Sequence, residues 1–166
     1  MSHPEIVIYP SDVLTKETSL VERFDAELVE LSQNLIRVMI EAPGIGVAAN
    51  QIGIPIAVAV IGIPSSDNPL ILVNPKVVKK STPEEVDQEG CLSIPGYWGR
   101  PLRSERIRIK FQDIYGRQQN LSADGYLAQV IQHEVDHLNG LVYSQRFPDG
   151  ETLQRLAGEQ KQFETD

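Results

Sequence analysis

Cysteine is almost missing from this 166-residue chain: the single one, Cys91, excludes an internal disulfide. A reducing cytoplasm is the simplest home for such a chain. No apolar run approaches the roughly 18 residues of a membrane-spanning helix. The opening residues, MSHPEIVIYP, lack the basic-then-apolar layout of a secretory signal. A cytoplasmic protein with no membrane partner is therefore expected. Positive charge is in deficit, with 15 Lys and Arg against 23 Asp and Glu and a formal net charge of -8. That balance argues against a broad basic surface gripping nucleic acid, so no direct nucleic-acid site is expected. Internal repeats, long linkers and low-complexity stretches are absent as well. Residues 1–166 read as one domain, long enough to bury a core without disulfides or a structural metal.

What is present is patterned. Leu28, Leu31, Leu35, Val38 and Met39 recur at three- and four-residue steps. They predict an amphipathic helix over 25–42, ended by Pro43 and Gly44. Short β-rich runs follow: IAVAVIGI at 56–63, LILVNPKVV at 70–78 and RIRIKF at 106–111, the last alternating charge with apolar side chains. IPSSDNP at 63–69 reads as a surface loop. Asp113 to Gly116 reads as a turn into a strand near 117–122, and PDG at 148–150 as a turn before a final helix over 151–163. Asp124 is placed to N-cap a helix running to Asn139 and Gly140. Helices and strands are segregated, which predicts α+β: mostly antiparallel sheets wrapped around the 125–138 helix, with a C-terminal helix.

That helix carries QHEVDHLNG, 132–140, with two of the chain's three histidines. Side chains turn about 100° per residue, so His133 and His137 project only about 40° apart. Glu134 lies about 60° around from His137, within reach of a water beside a metal while not itself a ligand. Two imidazoles and a flanking carboxylate on a buried helix suit metal-assisted hydrolysis, in which the metal acidifies water and the carboxylate moves its proton. The alternative is a helix with two incidental histidines.

A third ligand must come from elsewhere. The metzincin continuation fails, because Tyr143 stands where its histidine belongs. Glu159 could serve as in thermolysin-like sites, giving a general zinc endopeptidase, although it sits in the polar stretch AGEQKQFETD. Cys91, in EGCLSIPG at 89–96, offers a thiolate, a strong ligand for iron(II) or zinc. Alone it would read as a buried apolar filler. The unfilled position on the helix reverses that preference.

Three separated stretches, GIGVAANQIG (44–53), EGCLSIPG (89–96) and QHEVDHLNG (132–140), resemble in order and spacing the three signature motifs of the peptide deformylase family. The resemblance covers about residues 7–147. It implies that Cys91, His133 and His137 hold one divalent metal, typically iron(II), with zinc, nickel or cobalt able to occupy the site. It implies removal of the formyl group from the N-terminal formylmethionine of new polypeptides, releasing formate. Glu134 would be the general base, with the Gln51 amide and the Leu92 backbone N–H as oxyanion donors. Glu89 would orient a metal-binding histidine, with Asp136 and Arg103 as a supporting ion pair. Gly44, Ile45 and Gly46 would lie beside an extended substrate, and Tyr126, Gln129 and Val130 would line the methionine pocket. GIGVAA also resembles part of a dinucleotide fingerprint, but it neither follows a strand nor opens a helix. A relative that binds peptide or metal without turnover is a further reading, against which the intact Glu134 and Gln51 speak.

The chain departs from the family pattern at three places. Asn50 replaces a usual proline, Trp98 stands where some relatives carry an arginine, and Gln129 places an amide on the pocket face. Residues 151–166 are mixed in charge and slightly acidic, which fits a transient encounter with nascent chains at the ribosome better than a firm grip.

Overall fold

The computed structural model describes residues 5–156. A short helix, α1 (Asp12–Thr15), precedes α2 (Ala26–Glu41). The Asp25 side chain starts α2 by accepting from the Leu28 N–H at 3.2 Å. The stripe read from the sequence faces inward: Leu28, Leu35, Val38 and Met39 are buried. Fully burying each such side chain contributes about 1.5–3 kcal/mol.

Then come β1 (Gly46–Ala48), a 3-10 turn at Ala49–Ile52, β2 (Val58–Ile61), β3 (Leu70–Lys80), β4 (Pro83–Glu85) and β5 (Glu89–Cys91). β6 (Ile94–Gly99), β7 (Leu102–Ser104), β8 (Arg106–Gln112), β9 (Gln118–Asp124) and α3 (Gly125–Leu138) follow, with β10 (Gln154–Arg155) last. The main sheet has the order β1-β2-β3-β8-β9; β10-β6-β5 and β4-β7 form two smaller ones. Every pairing between these strands is antiparallel. The architecture is α+β, with sheets around the helix that carries the histidines.

Period-two patterning sets which side of the sheet meets the core. In β8, Ile107, Ile109 and Phe111 are buried while Arg106, Arg108 and Lys110 are exposed. The buried set packs with Ala128, Val130, Ile131 and Val135 of α3. β3 is bulged against β8 between Val73 and Lys76 and again between Val77 and Lys79. At the first irregularity Asn74 takes φ 51°, a left-handed conformation that asparagine tolerates. Its side chain is held by both backbone groups of Val21, at 2.8 and 3.0 Å.

The N-terminal end of α3 differs in detail from the sequence reading: Asp124 occupies the N-cap position but its side chain makes no capping bond. The C-terminal end matches it, with Asn139 as the C-cap and Gly140 following at φ 78°. A Cβ on Gly140 would stand 2.8 Å from the Lys16 backbone, so only glycine lets these segments touch.

The helix expected over 151–163 does not begin at 151. Gln154 and Arg155 are extended and pair with Trp98 and Tyr97 of β6, and the Leu156 N–H donates to Gly96 O at 2.9 Å. The open edge of β6 supplies hydrogen-bond partners that local helix pattern cannot anticipate. Residues 157–163 of that expectation, Glu159 among them, lie outside the described residues.

Candidate metal centre

α3 brings His133 and His137 to one buried face, their ring centroids 4.8 Å apart. The two Nε2 atoms lie 3.1 Å from each other. Cys91, at the end of β5 where the β5–β6 register shifts, places Sγ 3.3 Å from His137 Nε2. The three donor atoms all lie within 4.8 Å of one another. Three soft or borderline donors converging on one point form the donor set of a transition-metal site.

Glu89 Oε2 lies 3.4 Å from His133 Nδ1, which leaves the His133 Nε2 lone pair turned toward the cluster. Burial disfavours a charged His133, but hydrogen bonding and charge from Cys91 and Glu89 outweigh it and raise its pKa well above the ordinary value. A divalent cation held there would take the place of that proton. For His137, burial and then the neighbouring His133 and Arg103 charges depress the pKa, keeping it a neutral donor. The residues present therefore fit a divalent metal.

The carboxylates of the site are held by arginines. Arg103 donates to Glu89 from Nε at 3.2 Å and from Nη2 at 2.7 Å, and from Nη1 to Asp136 at 2.6 Å. Burial alone would raise the Glu89 pKa, but His133 and Arg103 hold it down at about 2. Arg146, from the 3-10 turn Tyr143–Arg146, closes the series with 2.8 and 3.1 Å bonds to Asp136. Sequence reading missed Arg146, whose signal was only a basic residue shortly after the helix. Tyr143, rejected as a ligand, stacks against His133 at 6.1 Å between ring centroids.

Glu134 has no such arginine. Its Oε2 is buried without a hydrogen-bond partner among the described residues. Burial pushes its pKa to about 7, against the lowering effect of His133. A Cβ on Gly46 would stand 2.8 Å from Glu134 Oε1, so the glycine leaves room for this carboxyl group. Gly44 in turn packs against Leu92, where a Cβ would meet Cδ1 at 2.8 Å.

Gln51 is buried in the 3-10 turn. Its Oε1 accepts from the Ala48 N–H at 2.9 Å, and its Nε2 points to Ser93 Oγ at 3.2 Å and toward Cys91 Sγ at 3.9 Å. Asn50 does more than fill the place of a proline. Its amide donates to the carbonyl oxygens of Val13 and His137, joining α1, the Gln51 turn and the last turn of α3. Thr18 does the same at the next residue, its N–H and hydroxyl both donating to Leu138 O at 2.9 Å. Carbonyls of the last helical turn thus accept bonds from distant segments, His137 O in addition to its bond from the Gly140 N–H.

The expected pocket residues divide. Ile45 and Tyr126 are exposed, whereas Val130 lies in the core with Ile131 and Val135. The Gln129 amide is turned toward Gln88 O at 3.3 Å and Glu89 Oε1 at 3.4 Å. Trp98 carries Arg100 over its ring at 5.3 Å. A cavity of about 1020 Å³ lies behind α3, lined by Asp136 and Arg146 but by none of Cys91, His133, Glu134 or Gln51. Volume does not mark the chemistry here; the donor set does.

A buried His-Glu-x-x-His helix faced by a cysteine thiol defines a metal-binding hydrolase. The family model described as polypeptide deformylase matches residues 3–152. An Agrobacterium fabrum peptide deformylase is 38% identical over 146 residues, spanning 86% of this chain and 86% of its own length. Peptide deformylase 1 of Bacillus cereus is 37% identical over 142 residues, covering 86% and 90%. Among solved structures, a Synechococcus elongatus peptide deformylase in complex with actinonin superposes with a TM-score of 0.83 at 38% identity, over 90% of this chain and 82% of that one. The Thermotoga maritima enzyme gives 0.82 at 33% identity, covering 86% and 96%. The chain belongs to the polypeptide deformylase family.

Proposed function

We propose that this chain is a metal-dependent hydrolase that removes the formyl group from N-terminal formylmethionine of new polypeptides and releases formate. The observation that carries the reading is Glu134: a buried carboxyl group with an unpartnered oxygen, directly beside three converging metal donors. A divalent cation held by Cys91, His133 and His137 supplies Lewis acidity toward the formyl carbonyl and toward water.

The chain's own residues do the rest. Glu134 takes a proton from the attacking water and returns one to the departing amine. Gln51 Nε2 donates to the oxygen on which negative charge develops, its amide orientation fixed because Oε1 is held by Ala48. The Leu92 N–H is the second donor. Glu89, anchored by Arg103, keeps the His133 ring turned; Asp136 steadies Arg103. The substrate lies extended along Gly44, Ile45 and Gly46, and its methionine side chain meets the face bearing Tyr126, Gln129 and Val130. Because Gln129 spends its amide on Gln88 and Glu89, the polar residue is compatible with an apolar side chain nearby.

The resident ion in this reading is iron(II), with zinc, nickel and cobalt as substitutes that the thiolate and imidazole set accepts. The chain acts as one catalytic domain in the cytoplasm, meeting nascent chains transiently at the ribosome. Among the described residues no helix is long and apolar enough to cross a membrane. The test is formate release from formyl-Met-Ala-Ser by protein purified without oxygen and loaded with iron(II). Formate produced by the parent and lost with the metal in Cys91→Ala supports the reading. Metal lost in Glu159→Ala but kept in Cys91→Ala, with internal peptide bonds cleaved, would make it a zinc endopeptidase instead.

A further inference from the structure

The outer face of the main sheet gathers positive charge that the chain's net -8 conceals. Arg106, Arg108 and Lys110 form the exposed row of β8. Across the ladder, Lys76 stands opposite Lys110 and Lys79 opposite Arg108, all of them exposed. Lys80 is exposed too, but it stands opposite the buried Ile107, on the other side of the sheet. Like charges directly opposed in a sheet are destabilising, yet the register sets two such pairs side by side. None of the five outward side chains forms an ion pair among the described residues, although arginines 37, 103, 117 and 146 all do. Asp124, opposite Arg106, is the acid the register brings to this face.

We propose that this face is a docking surface for RNA, held through the phosphate backbone. Outward side chains recur about every 6.7 Å along a strand and about 4.8 Å between strands, which makes a lattice of cations. A polymer with a negative charge on every residue is complementary to such a lattice. The face offers one exposed apolar side chain, Val78, so it lacks the apolar anchors with which proteins enter a lipid surface. Acidic residues elsewhere on the molecule do not cancel it, because at physiological salt charges more than about 8 Å away are largely screened. This inference goes beyond the deformylase reading and stands without it. The surface lies on the opposite side of the sheet from α3 and uses none of the site residues.

The experiment is fluorescence anisotropy of a labelled single-stranded RNA oligomer with the metal-loaded full chain, titrated across salt concentration. With five phosphate contacts, the logarithm of the binding constant falls against the logarithm of salt with a slope of about -3.5. The Lys79→Gln/Arg108→Gln pair weakens binding at least about tenfold at low salt and flattens the slope by about 1.4. Formate release from a short free peptide stays unchanged, and melting temperature holds or rises because a repelling pair is gone. A control variant on α2, Arg37→Gln, keeps the parent affinity. Failure of the parent to bind RNA at low salt overturns the proposal. So does undiminished binding by the face variant, or binding to phosphatidylserine vesicles with none to RNA.

Discussion

The charges beside α3 and the charges on the outer sheet face obey opposite rules. Inside, Glu89, Arg103 and Asp136 alternate in sign, touching at 2.7 and 2.6 Å, and the exposed Arg146 closes the series on Asp136 at 2.8 Å. Outside, Lys76 faces Lys110 and Lys79 faces Arg108. The difference follows from solvent. A charge removed from water is strongly destabilising unless paired and hydrogen-bonded, whereas water and salt reduce repulsion between exposed like charges to a few tenths of a kcal/mol. The interior therefore has little freedom of composition, and the surface can carry charge of one sign at small expense. Glu134 breaks the interior rule, since its unpartnered oxygen sits among paired neighbours. That exception is where the proton chemistry is proposed.

The contrast can be broken first at Glu134. Glu134→Ala is expected to lower formate release by about 100- to 10,000-fold while iron content, measured on the purified protein, stays at the parent level. Retained turnover would remove Glu134 from the mechanism. Next comes Arg103→Ala, which takes the arginine from buried Glu89 and one of two from buried Asp136. Denaturant titration should show a loss of about 3–5 kcal/mol, far above the effect of any single cation on the outer face.

Asn50→Ala sits between the two regimes. Its stability loss should be about 1 kcal/mol, because removing the unpartnered Oδ1 offsets part of the donor lost to His137 and Val13. Metal should leave faster under chelator challenge, and kcat should fall more than KM rises; a parent-like rate of metal loss would reduce Asn50 to packing. The smallest effect belongs to Lys76→Gln, which should raise stability by about 0.2–0.5 kcal/mol by relieving Lys110. A decrease would mean that Lys76 has a partner the register does not reveal.

Local pattern made much of the fold legible. The α2 stripe, the alternation in RIRIKF and the four-residue spacing of His133 and His137 each depend on the geometry of one element. The start of β10 was not legible, because extended or helical backbone at 151–156 is decided by the open edge of β6. At the site, helix spacing and the unfilled ligand position pointed to Glu134 and Cys91, and the resemblance to Gln51, whose Nε2 lies 3.9 Å from Cys91 Sγ. Arg146 and the bridging role of Asn50 escaped, since nothing adjacent in sequence announces either partner.

By itself, the sequence determined α2, α3 and the strand at 106–112 and which side of each is apolar, because backbone sterics and side-chain period act over a few residues. Only the tertiary structure decided that Cys91 meets His137 across 46 positions and that Asn50 reaches the His137 carbonyl across 87. It alone decided that five cations share one sheet face, with Asp124 opposite Arg106. Such contacts arise when separate apolar faces are buried together, and their partners carry no periodic signal in the chain.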